Sequence, residues 1–222
     1  MFKGIKAVIF DIDGTLLDSM GIWTDIDDIF VEKYKLNPPD TFHSGMEGKS
    51  YSETAEYFLE LFPELPHTSE ELQEEWYHMA VDIYRKDVKM KQGAYDFLHD
   101  LKEKGFKLGL ATSNQRELAT VGLEAHGVYE LFDVLRTACE VKAGKPAPDV
   151  YLSVAEELGV LPSECLVFED VPMGILAGKN AGMKVCAVDD WFSASQNEKK
   201  KQLADYFIHN YDDIKNKTYE VL

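Results

Sequence analysis

The chain has 222 residues, 45% of them hydrophobic and 12% aromatic, enough for one large domain or one domain with a modest insertion. Its 23 basic and 40 acidic residues give a formal net charge of −17. A surface of that sign repels nucleic acid and anionic lipid, so neither is an expected partner, and any phosphate site must gather positive charge locally.

Residues 5–10 form a short, nearly continuous apolar run, the pattern of a strand buried on both faces of a parallel sheet. From about residue 19 to about residue 89 no such run occurs. That stretch carries helical patterns over residues 22–34, 51–62 and 69–85, broken by Asn37-Pro38-Pro39 and Pro63-Glu64-Leu65-Pro66. Thr68 or Ser69 followed by Glu70 and Glu71 suits the start of the third. Buried runs then return at residues 107–111, 165–168 and 184–188, with a weaker one at 134–138. Helical stretches at 94–104, 116–126, 149–158 and 172–181 separate them, and Gly105, Gly127, Gly159 and Gly182 fall where those helices would end. The alternation predicts an α/β fold: a doubly wound, Rossmann-like parallel-sheet core of residues 1–18 and 90–222, with an inserted all-α helical cap over 19–89. Gly21 and Gly93 flank the insertion and could serve as hinges.

No run approaches the roughly 20 apolar residues of a transmembrane helix. The first residues lack the pattern of a signal peptide. Cys139, Cys165 and Cys186 are an odd set without metal-ligand spacing, and the latter two read as small buried hydrophobes. The expected location is cytoplasmic, with no membrane partner; the oligomeric state is not readable, a monomer being the default.

In an open parallel sheet, ligands bind at the carboxyl ends of the strands. The first strand delivers Asp11-Ile12-Asp13-Gly14-Thr15, the second Thr112-Ser113-Asn114, and the strand at 165–168 Glu169-Asp170. Gly144-Lys145-Pro146 follows the strand at 134–138. Asp11 and Asp13, two apart on extended chain, point the same way, and crowded carboxylates resist simultaneous ionisation. That pattern suits Asp11 as nucleophile and Asp13 as general acid and then base. Asp11, Glu169 and Asp170 make an oxygen-only set of the kind Mg²⁺ prefers. Thr112 offers a hydroxyl and Lys145 the required positive charge. Each residue has an ordinary reading too: a strand-end Asp, Thr or Glu-Asp pair often caps a helix, and a loop lysine is commonly solvated.

Asp11-Ile12-Asp13-Gly14-Thr15-Leu16, Thr112, Lys145 within Gly-Lys-Pro-Ala-Pro-Asp, and Glu169-Asp170 resemble, in order and spacing, the four motifs of the haloacid dehalogenase-like phosphatases. The chain looks closest to the β-phosphoglucomutase-like branch. The resemblance implies Asp11 as nucleophile and Mg²⁺ ligand, and Asp13 as acid/base and ligand through its backbone carbonyl. Thr112 and Lys145 would hold the transferring phosphoryl group, and Asp170, with Glu169 directly or through water, would complete the metal site. The implied activity is Mg²⁺-dependent hydrolysis of a small phosphorylated metabolite, a sugar phosphate or nucleotide-like monophosphate.

The cap should set specificity, with Ser113 and Asn114 contributing from the core. Gly48-Lys49-Ser50-Tyr51 looks like the branch's substrate-facing loop, and Tyr51 falls where the mutases carry a phosphate-clamping arginine. Lys49 could substitute as a point charge, or be an exposed loop lysine. Trp23 could face the site, although a helix-core position fits its pattern better. Two other readings stand beside the phosphatase: a β-phosphoglucomutase-type mutase, and a receiver-like or binding protein without turnover.

Overall fold

The computed structural model describes residues 1–222, the side chain of Ser44 excepted. The first strand, β1 (Ala7–Phe10), is buried throughout. Four helices follow it: α1 (Met20–Tyr34), α2 (Phe42–Met46), α3 (Tyr51–Leu61) and α4 (Ser69–Lys86). Capping boxes start the third and fourth. Ser50 accepts from the Glu53 amide while Glu53 accepts from Ser50, and Thr68 and Glu71 repeat the exchange. The four helices bury their own aromatic core, in which Phe58 meets Phe30 and Trp76 edge-on at 5.9 and 4.9 Å. The chain enters and leaves this insertion side by side: the Asp18 amide donates to the Lys89 carbonyl, and the Lys91 amide to that of Leu16.

The remainder runs α5 (Ala94–Glu103), β2 (Lys107–Thr112), α6 (Arg116–Ala125), β3 (Val134–Thr137), α7 (Asp149–Leu158), β4 (Cys165–Glu169), α8 (Pro172–Asn180), β5 (Lys184–Val188), α9 (Asn197–Leu203), β6 (Tyr206–Ile208), α10 (Asp212–Asn216) and β7 (Glu220–Val221). The strands form one sheet in the order β3-β2-β1-β4-β5-β6-β7, parallel except for β7. The two faces of β1 separate by its period of two. Val8 and Phe10 pack with Leu98 of α5 and Leu118 of α6, whereas Ala7 and Ile9 pack with Val154 of α7 and Ile175 of α8. The chain therefore winds one way from β1 to β3 and the other way from β4 onward. The switch point falls between β1 and β4, where an open α/β sheet binds ligands.

The α/β core with its helical insertion agrees with the sequence reading, and the five strands expected are present. Cys165 and Cys186 are buried. The sequence reading has no counterpart for α2, α9, α10, β6 or β7. Each is short, and α9, with the sequence NEKKKQL, has almost no apolar periodicity. Among the described residues no helix is long and apolar enough to cross a membrane.

Candidate active site

β1 and β4 pair in register, Phe10 against Phe168, so the residues that follow them, Asp11 and the Glu169-Asp170 pair, emerge together. β2 lies on the other side of β1 and ends in Thr112. After Asp13 the backbone turns sharply. Gly14 has φ +81°, and a Cβ there would run into the Asp170 carboxylate, so only glycine lets the turn pass that close.

Lys145 ties the group together. Its Nζ donates to Asp11 Oδ1 at 2.6 Å and to Glu169 Oε1 at 2.5 Å, with all three side chains nearly or fully buried. Burial alone would lower the lysine's pKa, but the two carboxylates outweigh it and hold the ammonium above its ordinary value. Burial pushes the Asp11 carboxyl up to about 8 against the pull of Lys145, with repulsion from Glu169 next and from Asp13 last. The sequence reading attributes a proton at this pair to crowding between Asp11 and Asp13; the larger cause is desolvation. Burial, then Glu169 and Asp11, likewise raise Asp170.

Carboxylate oxygens of Asp11, Glu169 and Asp170 lie within 4.8 Å of one another. Asp170 Oδ1 accepts from Thr15 Oγ1 at 3.0 Å, while its Oδ2 is buried without a hydrogen-bond partner. A buried carboxylate oxygen with no donor is costly, and a hard cation would satisfy it. The donor set is oxygen only, so these residues fit Mg²⁺.

Asp13 is gripped from three sides. Ser19 Oγ donates to Oδ1 at 2.6 Å, Tyr84 Oη makes a short hydrogen bond to the same oxygen, and Asn114 Nδ2 donates to Oδ2 at 2.8 Å. Tyr84 Oη in turn accepts from Trp23 Nε1 at 2.8 Å. Thr112 is buried, its Oγ1 accepting from the Asn114 amide at 3.0 Å, and the Ser113 carbonyl accepts from the Tyr51 amide at 2.9 Å. That last contact joins the cap to the core.

A cavity of about 400 Å³ opens over this cluster, lined by Asp11, Asp13, Thr112, Ser113, Asn114 and Lys145 below and by cap residues above. Gly48, Lys49, Tyr51 and Trp23 all line it. Trp23 therefore reaches the site, against the expectation of a helix-core position. Tyr51 is buried, its ring edge-on to Trp23 and Trp76 at 5.8 Å each, and its hydroxyl donates to the Gln73 carbonyl at 3.4 Å. Lys49 Nζ lies 5.5 Å from the centre of the Tyr57 ring.

Tyr84, Ser19 and Tyr151 escaped the sequence reading. Tyr151 Oη donates to Glu169 Oε1 at 2.9 Å from α7. Burial, then the charges of Asp13 and Glu169 respectively, raise the Tyr84 and Tyr151 phenols and keep both as neutral donors. Both tyrosines sit at apolar helix positions, where sequence shows a core aromatic and nothing more.

The haloacid dehalogenase-like hydrolase family matches residues 8–188. The phosphorylated carbohydrates phosphatase of Thermotoga maritima is 31% identical over 180 residues, 81% of this chain and 83% of that one. The validoxylamine A 7'-phosphate phosphatase of Streptomyces hygroscopicus subsp. limoneus is 33% identical over 178 residues, 80% of this chain and 83% of its own. Among solved structures, the β-phosphoglucomutase of Clostridium difficile superposes with a TM-score of 0.77 at 25% identity, covering 96% of each chain.

Proposed function

The chain belongs to the haloacid dehalogenase-like hydrolases, in their β-phosphoglucomutase-like branch, and on that premise we propose that it is a Mg²⁺-dependent phosphatase of a small phosphorylated metabolite, acting through an aspartyl-phosphate on Asp11. The observation that carries this reading is the buried convergence of Asp11, Lys145, Glu169 and Asp170 beneath a cavity that Asp13 also lines. Residues 1–18 and 90–222 act as the catalytic core and 19–89 as the cap.

An Asp11 carboxylate oxygen attacks phosphorus in line, and the bond from phosphorus to the leaving oxygen breaks. Asp13 gives its proton to that oxygen; it later takes one from the water that hydrolyses the aspartyl-phosphate. The Lys145 ammonium and the Thr112 hydroxyl hold the transferring phosphoryl oxygens, while Ser113 and Asn114 border the phosphoryl pocket. Tyr84, Ser19 and Asn114 fix the direction in which Asp13 points. Mg²⁺ held by Asp11, Asp170, the Asp13 carbonyl and Glu169 would offset repulsion between the nucleophile and the phosphate.

The cap offers little support for a mutase. A bisphosphate intermediate must be held while it reorients, and a bidentate arginine is the usual device. Tyr51 stands at that position with its hydroxyl on a backbone carbonyl, and no arginine lines the cavity among the described residues. Phosphate release from a panel of phosphorylated metabolites tests the reading, run beside isomerisation of β-glucose 1-phosphate with a bisphosphate primer. Isomerisation faster than release would reverse it, and neither isomerisation nor release of phosphate would leave a receiver or binding protein.

A further inference from the structure

The first turn of α3 docks on the core segments that follow β2 and β3. Its Tyr51 amide donates to the Ser113 carbonyl at 2.9 Å, next to Thr112, and its Ser52 hydroxyl donates to Cys139 Sγ at 3.4 Å. Glu53 makes the third contact. Its Oε2 accepts from the Ser50 amide at 2.7 Å, closing the capping box, and its carboxylate also accepts from the Gly144 amide, one residue ahead of Lys145. A Cβ on Gly144 would lie 2.5 Å from Glu53 Oε2 and 3.2 Å from the Gly48 carbonyl oxygen, so cap and loop meet there without room for a side chain.

A capping box needs only the exchange within its own helix. Thr68 and Glu71 make that exchange at the exposed start of α4. Glu53 does more, because it reaches across to the core. Burial raises its pKa, but hydrogen bonds from Ser50 and Gly144 and the charge of Lys49 outweigh it and hold the carboxyl below its ordinary value. An amide that donates to a carboxylate makes a charge-assisted bond, roughly twice as strong as a neutral one. On its other side the loop is tied by Asn180 Nδ2, which donates to the Pro146 carbonyl at 2.9 Å, and by the pairing of Lys145 with Asp11 and Glu169. The contact with Asp11 has to yield when the ammonium turns to the phosphoryl oxygens. At that moment the loop backbone decides where Nζ can reach.

We propose that Glu53 is a positioning residue for Lys145: by holding the Gly144 amide from the cap, it fixes the backbone from which the lysine meets the transferring phosphoryl group. This inference rests on the phosphatase reading of the site.

The test uses the full-length chain with Mg²⁺, phosphate release from p-nitrophenyl phosphate, and hydrogen–deuterium exchange without substrate. Glu53→Ala loses a capping box and the tie to Gly144, whereas Glu71→Ala loses a capping box alone. Glu53→Ala should lower kcat by about tenfold or more, and Glu71→Ala by less than about twofold. Glu53→Gln should recover kcat to within about threefold of wild type, because an amide oxygen has two lone pairs and can accept from both backbone groups. Exchange in the peptide that contains Gly144 and Lys145 should quicken in Glu53→Ala and not in Glu71→Ala. Gly144→Ala parts the same contact from the core side and leaves the capping box whole; it should match Glu53→Ala on both readouts, and it reads the contact should Glu53→Ala fail to fold. Equal kcat losses in Glu53→Ala and Glu71→Ala, a Glu53→Gln as slow as Glu53→Ala, or unchanged exchange around Gly144 would each overturn the positioning role and leave the phosphatase standing. If wild type releases phosphate neither from p-nitrophenyl phosphate nor from the metabolite panel, the phosphatase reading fails and takes the positioning role with it.

Discussion

Tyr84, on the last helix of the cap, donates a hydrogen bond to Asp13, which hangs from the end of the first core strand. The proposed acid/base is thus oriented from the opposite side of the cavity, and Trp23, also from the cap, donates to the same phenol. Tyr84→Phe removes that hold while keeping the ring. We expect kcat to fall by about ten- to a hundredfold on alkyl phosphates, whose leaving oxygen needs a proton. The loss should be much smaller on p-nitrophenyl phosphate, whose leaving group departs without one. Equal losses on both substrates would make Tyr84 a packing residue.

Asp11→Asn should lower turnover by about a thousandfold or more and leave the fold intact, since it removes the nucleophile at constant volume. Phosphate release and far-UV circular dichroism on one preparation decide the matter. Activity within about tenfold of wild type would rule out attack by Asp11.

The core of this site was legible because its chemistry sits where strand patterning stops. Asp11, Thr112 and Glu169 each follow or end an apolar run, and a parallel sheet brings such ends together. What surrounds them was not legible. Tyr84 and Tyr151 occupy apolar helix positions, and whether a hydroxyl there meets Asp13 or Glu169 depends on how α4 and α7 pack against the sheet. Lys200 shows the same limit: it stands in a run of lysines, and the structure buries it fully. Its Nζ donates to the Val188 carbonyl and to Ser193 Oγ, which itself donates to the Asp170 carbonyl.

Activity should require Mg²⁺ and be inhibited by Ca²⁺. Mg²⁺ demands tight octahedral oxygen coordination, whereas Ca²⁺ accepts looser and higher coordination that would misplace Asp11. The partnerless Oδ2 of Asp170 further implies that Mg²⁺ raises the melting temperature of wild type more than that of Asp170→Asn. Full activity in excess EDTA, or equal stabilisation of both proteins, would remove the metal from the account.

Burial, and then the charge of Asp28, push the Asp27 carboxyl up to about 7 from its ordinary 3.8. Between those values the folded chain keeps a proton that the unfolded chain has lost, so this group makes stability fall as pH rises through the window. Above about 7 both states are ionised and the penalty is complete, on the order of a few kcal/mol. Asp27→Asn removes it. The variant should therefore equal wild type near pH 4 and exceed it at pH 8 in denaturant titrations. A constant difference across that range would mean that Asp27 ionises normally.

The last prediction concerns how the cap seats on the core. Gly48, in the loop before α3, has φ +82°, and a Cβ on it would lie 2.7 Å from the Lys145 carbonyl oxygen and 3.0 Å from Met173 Cβ. Any side chain there is opposed twice, by the left-handed backbone and by the loop that carries Lys145. Gly48→Ala has one inexpensive escape, which is for the cap to lift, turning about the paired crossings at Asp18–Lys89 and Leu16–Lys91. Lifting would admit water and withdraw Tyr84 from Asp13, so kcat/KM should fall by about tenfold or more. Lifting leaves the cap helices and the sheet formed, so circular dichroism should change little. Solution X-ray scattering should show a larger radius of gyration for the variant than for wild type, with a metal fluoride phosphate mimic narrowing the gap. Wild-type scattering together with wild-type kcat/KM would mean that the loop absorbs the methyl locally and that Gly48 does not govern closure.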